Sequence, residues 1–590
     1  VANFSDDMTR SLFNLKRGCC MKFKRITRNF LKDYNISQVM TALFPFLAFM
    51  SVLPLVAYAD INPTQTAILE KQQRDLKNSL TPPLKHAPMD SKPITPEEAE
   101  SSDDSSCLVI NRVELINMDA FPNAGRLMRW AKQAQGHCLD DKGLSTLQKT
   151  LQWQLVTDGY ITSHVTFTED SYMGGTLFLT LIPGSLSGIN HHEDSHDYAR
   201  LNTVFPGRLG DIVNLQNLEQ GLENLQRLPS VNATMDVVLN REDLTSQIVV
   251  KRQQSRFWRI NTFLDNAGHY AVGRYRVGTT LFLENPLSLS DLAYFSAGRD
   301  LDNHHDKGNS NFALHYSVPF GHWLLSMTGS QGGYYQSLLI DNSAFKYHSR
   351  WRSLDMQIQR LLTRGYNYKT VGHTGVLIRK SNRFFANSEV EIQRSDTVDW
   401  QLGLQHLYYA RWATMRGEVN YQQGTQWFGA RPSPGNESFS ASKLINLTAS
   451  LDIPFILGEQ LFHYQPTFSH QYTRSNLAIQ DDFSIGGRSS VRGFATGMAL
   501  IGSQGWFLKN DIAWVNQRLA SQLYVGVDYG EVSKKGGQFL LGNRLVGGVL
   551  GIRGSYHQFG YDFNIGLPLD KPRELNTDPA VFGFVVNWQY

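Results

Sequence analysis

Val581-Phe-Gly-Phe-Val-Val-Asn-Trp-Gln-Tyr590 alternates with a period of two. Phe582, Phe584, Val586, Trp588 and Tyr590 fall on one side, and Gly583, Val585, Asn587 and Gln589 on the other. In a β-strand successive side chains point to opposite faces. An aromatic stripe at the end of this chain is what a closing, lipid-facing barrel strand requires. Reading back to Arg256, alternation persists. Turn residues break it every ten or so positions, at Asn266-Ala-Gly268, Glu284-Asn-Pro286, Asp300 to Gly308 and Arg431 to Ser438. At roughly 20 residues per strand and loop, this region predicts about 16 antiparallel strands, an even number as in bacterial barrels. The soluble alternatives are a β-sandwich or a propeller.

The chain has 590 residues, enough for two or three domains. With 41% hydrophobic residues and a mean hydropathy of −0.31, a polytopic helical membrane protein is excluded. A transmembrane barrel is not, because its lipid-facing residues alternate with polar ones and hydropathy never accumulates. The 48 glycines and 12% aromatic residues suit tight turns and aromatic girdles. A net charge of +3 gives no global case for a nucleic-acid partner.

An export signal supports the barrel over the soluble folds. Lys22, Lys24, Arg25, Arg28 and Lys32 precede an apolar run, Val39 to Val56, and a small-x-small site, Ala57-Tyr58-Ala59. Residues 1–59 read as leader and signal peptide, with Asp60 the expected mature start and Met21 a candidate translation start. Pro45, Pro54 and the cleavage site argue against an uncleaved anchor. Of the four cysteines, Cys19 and Cys20 lie in the leader. Cys107 and Cys138 remain, and export favours a disulfide between them over two buried thiols.

Four segments lie between the signal peptide and the barrel, which is placed at 254–590. Asn62-Pro63 reads as a helix start, and a polar helix follows within 60–80. Its apolar residues, among them Ile68, Leu69 and Leu76 beside Arg74, are too few to bury a face in a core. Residues 81–106, with Pro82, Pro83, Pro93 and Pro96, read as a linker. Two small α+β units come next. In 107–185, strands are expected over Leu108–Leu115, Ile161–Phe167 and Thr176–Ile182, and helices near Gly125–Ala134 and over Leu144–Thr157. In 186–253, a helix is expected over Leu215–Arg227 and strands over Ala233–Leu239 and Ser246–Lys251.

Asp481-Asp-Phe-Ser-Ile-Gly-Gly-Arg-Ser-Ser-Val-Arg-Gly-Phe494 sets two arginines, Arg488 and Arg492, among glycines. From composition alone Arg492 reads as a solvated loop arginine. With Tyr524-Val-Gly-Val-Asp-Tyr-Gly530 and Tyr561-Asp-Phe-Asn-Ile-Gly-Leu-Pro-Leu569, however, this stretch resembles the barrel end of the outer-membrane transporters of two-partner secretion. Leu264-Asp-Asn-Ala-Gly268 and Ser317-Val-Pro-Phe320 resemble their barrel start. Cys107 to Ile116, Gly136-His-Cys138 and Gly159-Tyr-Ile-Thr-Ser163 resemble their first periplasmic POTRA domain. Val204-Phe-Pro206, Asn214 to Leu222 and Arg227-Leu-Pro-Ser230 resemble the second. The order of these motifs holds along most of the chain.

The resemblance implies a transmembrane β-barrel, two α+β POTRA domains and an N-terminal plug helix, in the outer membrane of a Gram-negative bacterium. It implies that Val491-Arg-Gly-Phe494 is the tip of a hairpin folded back into the barrel, where Arg492, Gly493 and Phe494 meet the wall at Asp528. It implies partner contacts at Tyr160, Phe205, Leu215, Leu218, Glu219 and Gln220. The expected partners are a large secreted exoprotein, outer-membrane lipid and the barrel-assembly machinery. The family usually has an aromatic two places before the strand aspartate. Here that position is Gly526, which leads to the expectation that water reaches Asp528.

No catalytic centre, cofactor or metal is expected. There is no GxxxxGK[ST] phosphate loop and no GxSxG elbow. His191, His192, Glu193, Asp194 and His196 could ligate a metal, but read as a solvated loop between the two units. His304 and His305 mark a barrel loop. The rival readings are an outer-membrane insertase and a passive porin.

Overall fold

The computed structural model describes residues 107–590 apart from Asn123, 169–170, Arg241, Leu244, 303–305, 341–342, 432–441 and 534–541. The leader, the expected plug helix with Ile68, Leu69, Arg74 and Leu76, and the linker lie outside the described residues.

In the first α+β unit, Arg112–Ile116 runs parallel to Thr176–Ile182, which pairs on its other side with His164–Thr166. Helices Ala124–Ala131 and Asp141–Thr157 bury Leu127, Leu151 and Leu155 against Val113, Leu177 and Leu179. The second helix starts three residues before the leucine spacing predicts, because the Asp140 side chain caps it, accepting from the Gly143 amide at 2.7 Å. The expected first strand is broken at Ile110, whose amide and carbonyl bond instead to His137 and Gly136. The short strand ahead of the break, Leu108–Val109, pairs with Cys138–Leu139, and a Cys107–Cys138 disulfide closes that ladder.

The second unit has one strand more than the sequence suggests. Ser185–His191 lies parallel to Thr245–Gln254, which pairs antiparallel with Val231–Leu239. Its irregular Ser-Leu-Ser-Gly-Ile-Asn-His sequence and a register shift between Leu186 and Gly188 hide its alternation. His191 is therefore the last residue of a strand, with Nε2 2.9 Å from the Ala199 carbonyl oxygen, and not part of a linker. Among the described residues no cluster of three or more His, Cys, Asp or Glu could hold a metal.

The barrel closes with sixteen antiparallel strands, from Trp258–Asp265 to Val581–Gln589. First and last pair directly, Asn261 opposite Gln589 through Asp265 opposite Val585. Closure satisfies every strand edge, which the hydrocarbon layer demands because it offers no competing hydrogen bonds. Side chains divide by parity. On Ser521–Ser533, Leu523, Val525 and Val527 are exposed on the outside while Tyr524 and Asp528 are buried inside. Two neighbouring strands are interrupted side by side, at Gln465-Pro466 and Asn510-Asp511. Gln465 and Asp511 still exchange backbone hydrogen bonds there, while Pro466 has no amide to give.

The second unit is fastened to one rim of the barrel by buried charge. Glu219 and Glu223, on the Leu215–Gln226 helix, receive Arg364 Nε and Nη2 at 2.8 Å each, and Lys369 also bonds to Glu223. Arg364 and Lys369 lie on either side of the Gly365–Asn367 turn. Arg227 adds bonds to the Ser290 carbonyl oxygen and Ser317 Oγ. Burial alone would raise the Glu223 carboxyl; Lys369 and Arg364 outweigh it and hold the group below its ordinary value. The fastening is thus complete near neutral pH and is lost only as acid takes the pH below the ordinary carboxylate range.

Two outcomes follow for stability. Peptide mapping without reductant should recover Cys107 linked to Cys138, and Cys107→Ala should cost the first unit roughly 3.5–4 kcal/mol in the chain-entropy model. Two alkylated thiols would contradict this. Arg364→Ala removes the guanidinium shared by the buried Glu219 and Glu223, leaving Lys369 on Glu223, and should cost about 3–5 kcal/mol. Faster trypsin cutting at Arg227 in the purified protein would report it; unchanged cutting would count against the fastening.

Candidate functional site

Between strands Thr467–Thr473 and Gln504–Lys509 the chain makes its long excursion, 474–503. It folds back against the inner wall. Phe483–Ile485 pairs with Leu500–Gly502 to form a short stem. Phe483, Ile485, Val491, Phe494 and Leu500 share a buried cluster with Val532 and Leu545 of the wall.

At the tip, Arg492 meets Asp528 in a bidentate fork: Nε to Oδ2 at 2.6 Å and Nη2 to Oδ1 at 2.7 Å. The Arg492 amide donates to the same Oδ2 at 3.0 Å, so the carboxylate fixes backbone and side chain together. Nη2 also reaches the Asn510 carbonyl oxygen at 3.1 Å and Asp511 Oδ1 at 2.6 Å. Asp511 is shared with Arg553 at 3.2 Å. The break at Asn510-Asp511 therefore supplies part of the clamp. Arg492 is 5% exposed and Asp528 fully buried.

Gly526 does not let water in, contrary to the sequence expectation. A Cβ there would lie 2.8 Å from Arg492 Nη2 and 2.0 Å from the Asn510 carbonyl oxygen. The guanidinium occupies the space that an aromatic would take. The neighbouring ring comes instead from Tyr524, one inward position earlier, 5.9 Å from the Arg492 guanidinium and 4.9 Å from that of Arg553. Tyr524 is held by its hydroxyl, which donates to Asp562 at 2.8 Å.

Three strands lack side chains where the tip presses. A Cβ on Gly547 would sit 1.6 Å from the Arg492 carbonyl oxygen, and one on Gly566 2.6 Å from the Gly493 amide nitrogen. Gly493 itself has φ +97°, a conformation that glycine takes freely. Arg488, given no role by the sequence, reaches the barrel seam. Its Nη2 donates to the Phe584 carbonyl oxygen at 2.9 Å and to Asn266 Oδ1 at 3.2 Å. Asn266 in turn bonds Phe582 and Phe584 of the last strand. On another side of the hairpin, His269 packs against Gly497; burial holds its imidazole down at about 4, so it is neutral.

The structure brings Arg492, Gly493, Phe494 and Asp528 together. It places the expected partner-contact residues otherwise. Tyr160 is buried in the first unit; Phe205 and Leu218 are buried in the second. Glu219 and Gln220 are turned onto Arg364 at the barrel rim. Leu215 is only partly covered. As a set these residues do not offer a free surface, because the fold and the rim already use them.

Residues 245–554 match the haemolysin secretion/activation protein family ShlB/FhaC/HecB. The chain belongs to that family. Residues 108–184 match its ShlB-type POTRA domain and 186–238 a further POTRA domain. The outer membrane transporter CdiB-2 of Burkholderia pseudomallei is 28% identical over 84% of this chain and 88% of its own. The hemolysin transporter protein ShlB of Serratia marcescens is 25% identical over 64% and 67%. The solved structure of CdiB from Acinetobacter baumannii superposes with a TM-score of 0.76, at 25% identity over 90% of this chain and all of that one. Like the other members, this ShlB/FhaC/HecB-family chain is an outer-membrane transporter of two-partner secretion, with POTRA domains ahead of its barrel.

The glycine contacts give a test of the geometry. Gly547→Val should expel the tip. Val491→Cys, buried in the parent, should then react with a membrane-impermeant maleimide on whole cells. Protection equal to the parent would contradict the placement of Arg492 against Gly547.

Proposed function

We propose that this transporter captures a large partner exoprotein in the periplasm and threads it unfolded through its own barrel. The Arg492–Asp528 clamp holds the hairpin in the resting lumen. The observation that carries this reading is the clamp itself: a charged tip, buried and forked onto a wall carboxylate, seated inside a closed cylinder. A guanidinium in such a setting is a device for holding position.

Capture is assigned to a free sheet edge. Val231–Leu239 pairs on one side only, with Thr245–Gln254, among the described residues. An extended segment of the exoprotein can add there, taking affinity from the main chain and modest specificity from alternate side chains. Val238 and Leu239 are exposed at the end of that edge. The plug reading of 60–80 belongs to the same proposal, as do insertion by the barrel-assembly machinery and an outer-membrane lipid surround. The sequence carries no GxxxxGK[ST] nucleotide loop, and folding of the exoprotein outside the cell is the free-energy source of this reading. The exoprotein is a contact-dependent inhibition toxin, a haemolysin or a filamentous adhesin. Two POTRA units and the polar sequence of 60–80 favour this over an insertase, and a passive porin has no use for either.

Co-expression with the exoprotein encoded alongside should deliver that protein to the medium or cell surface. Arg492→Ala and Asp528→Ala should each reduce delivery strongly at near-normal barrel levels. The double variant should fall short of additive, because one contact is lost only once. The orphaned charge costs about 3–5 kcal/mol where it stays buried. Normal delivery by both single variants, per unit of heat-modifiable barrel, would refute the clamp as a functional element.

A further inference from the structure

The hairpin is held at its foot as well as at its tip. Asp481 lies in the turn Ile479–Asp481 just before the stem. Arg379, on the wall strand Tyr368–Phe385, donates to it from both ends of the guanidinium, Nη1 to Oδ1 and Nη2 to Oδ2, each at 2.8 Å. The same Nη2 reaches Asp399 Oδ2, on the next strand, at 2.9 Å. Asp481, Arg379 and Asp399 are all buried. Beside them Gln480 Nε2 donates to Thr397 Oγ1 at 3.1 Å. Gln471 Nε2 donates to the carbonyl oxygens of Asp481 at 2.7 Å and Ser503 at 3.1 Å, joining the two ends of the excursion.

This foot faces a different wall sector from the tip, and its polarity is reversed: the hairpin contributes the carboxylate and the wall the guanidinium. Between the two lie a stem of three paired residues and then Gly486 and Gly487, and Gly493 and Gly497 follow Arg492, all four glycines at positive φ. Such a tip has little directional stiffness of its own. A stem of roughly 10 Å transmits the orientation of whatever fixes its base.

We propose that Asp481, with Arg379, is a second clamp whose function is positioning: it fixes the foot, and the fixed foot sets where Arg492 lands on Asp528. The tip is then the part that is released and re-docked, and the foot is the pivot. This rests on the reading of the tip given above, but it is separable by experiment. Asp399 remains beside Arg379 when the hairpin carboxylate is removed, so the wall keeps a neutralised guanidinium and the barrel can form.

The test uses the full chain with Val491→Cys as reporter of the tip and exoprotein delivery as a second readout. Asp481→Ala should raise maleimide labelling of the reporter on whole cells at least fivefold, at parental levels of heat-modifiable barrel. Asp399→Ala, which leaves the Asp481–Arg379 fork in place, should label as the parent does. The charge-exchanged pair Arg379→Asp with Asp481→Arg should bring labelling back toward the parental level. Where Asp481→Ala lowers barrel levels, Asp481→Asn keeps shape and removes charge, and should label in the same way. Parental labelling in the Asp481 variants overturns the proposal, as does labelling that the charge exchange leaves high. Raised labelling with undiminished delivery upholds the foot clamp and sinks the transport reading of the tip.

Discussion

A guanidinium and a carboxylate taken out of water together are stable only when their remaining hydrogen-bonding sites are filled. Arg492 and Asp528 meet much of that demand with a fork, the backbone amides of Arg492 and Asn510 and the Asn510 carbonyl oxygen, and Asp511 adds an ion-pair contact. Almost everything distinctive about this barrel serves the geometry. The wall strand breaks at Asn510-Asp511 to aim a carbonyl oxygen and a carboxylate inward. Neighbouring strands carry Gly526, Gly547 and Gly566 where a Cβ would collide with the tip. Shape and charge are therefore coupled: a methyl group at Gly547 and the loss of Asp528 strike the same contact from opposite sides.

On the proposed reading the hairpin is both fixed and releasable, and the arrangement is compatible with both. The barrel's stability rests on its closed ladder of backbone hydrogen bonds, which includes none of the hairpin's side-chain contacts. Loss of the tip contact therefore leaves the cylinder intact. Along the hairpin, contacts are concentrated at three places: Asp481 at the foot, Arg488 at the seam between first and last strands, and Arg492 at the tip. Each is a side chain reaching to the wall, and the backbone between them is rich in glycine. At the opposite rim, the Glu219–Glu223–Arg364–Lys369 cluster makes the second POTRA unit one body with the barrel. The outer edge of Val231–Leu239 is thereby held in a fixed place relative to the barrel.

Much of this was legible in the sequence. The last strand announced itself by alternation, and the sixteen-strand count follows from length and turn spacing. Arg492 and Asp528 could be joined because their flanking motifs are distinctive, although 36 residues separate them. What was not legible has a common cause: local pattern does not say what lies opposite. Gly526 read as a hole because no side chain fills it, whereas a side chain from another segment does. Glu219 and Gln220 are expected from the resemblance to contact the partner, but the barrel rim takes them instead. Arg379 sits in an unremarkable polar strand, and only the fold sets it opposite Asp481. The strand Ser185–His191 was missed because its serines and glycine carry no β signal of their own.

On the proposed reading the tip must leave the wall for the exoprotein to pass, and a reversible tether between them probes that step. Val491 and Gly530 adjoin, with a Cβ on Gly530 lying 2.9 Å from Val491 Cγ2. A transporter carrying Val491→Cys and Gly530→Cys can therefore be cross-linked by oxidation in living cells and freed by reductant. The account predicts that delivery of the exoprotein stops when the cross-link is complete and resumes on reduction, while the parent delivers under both conditions. Full delivery through a completely cross-linked barrel would contradict it.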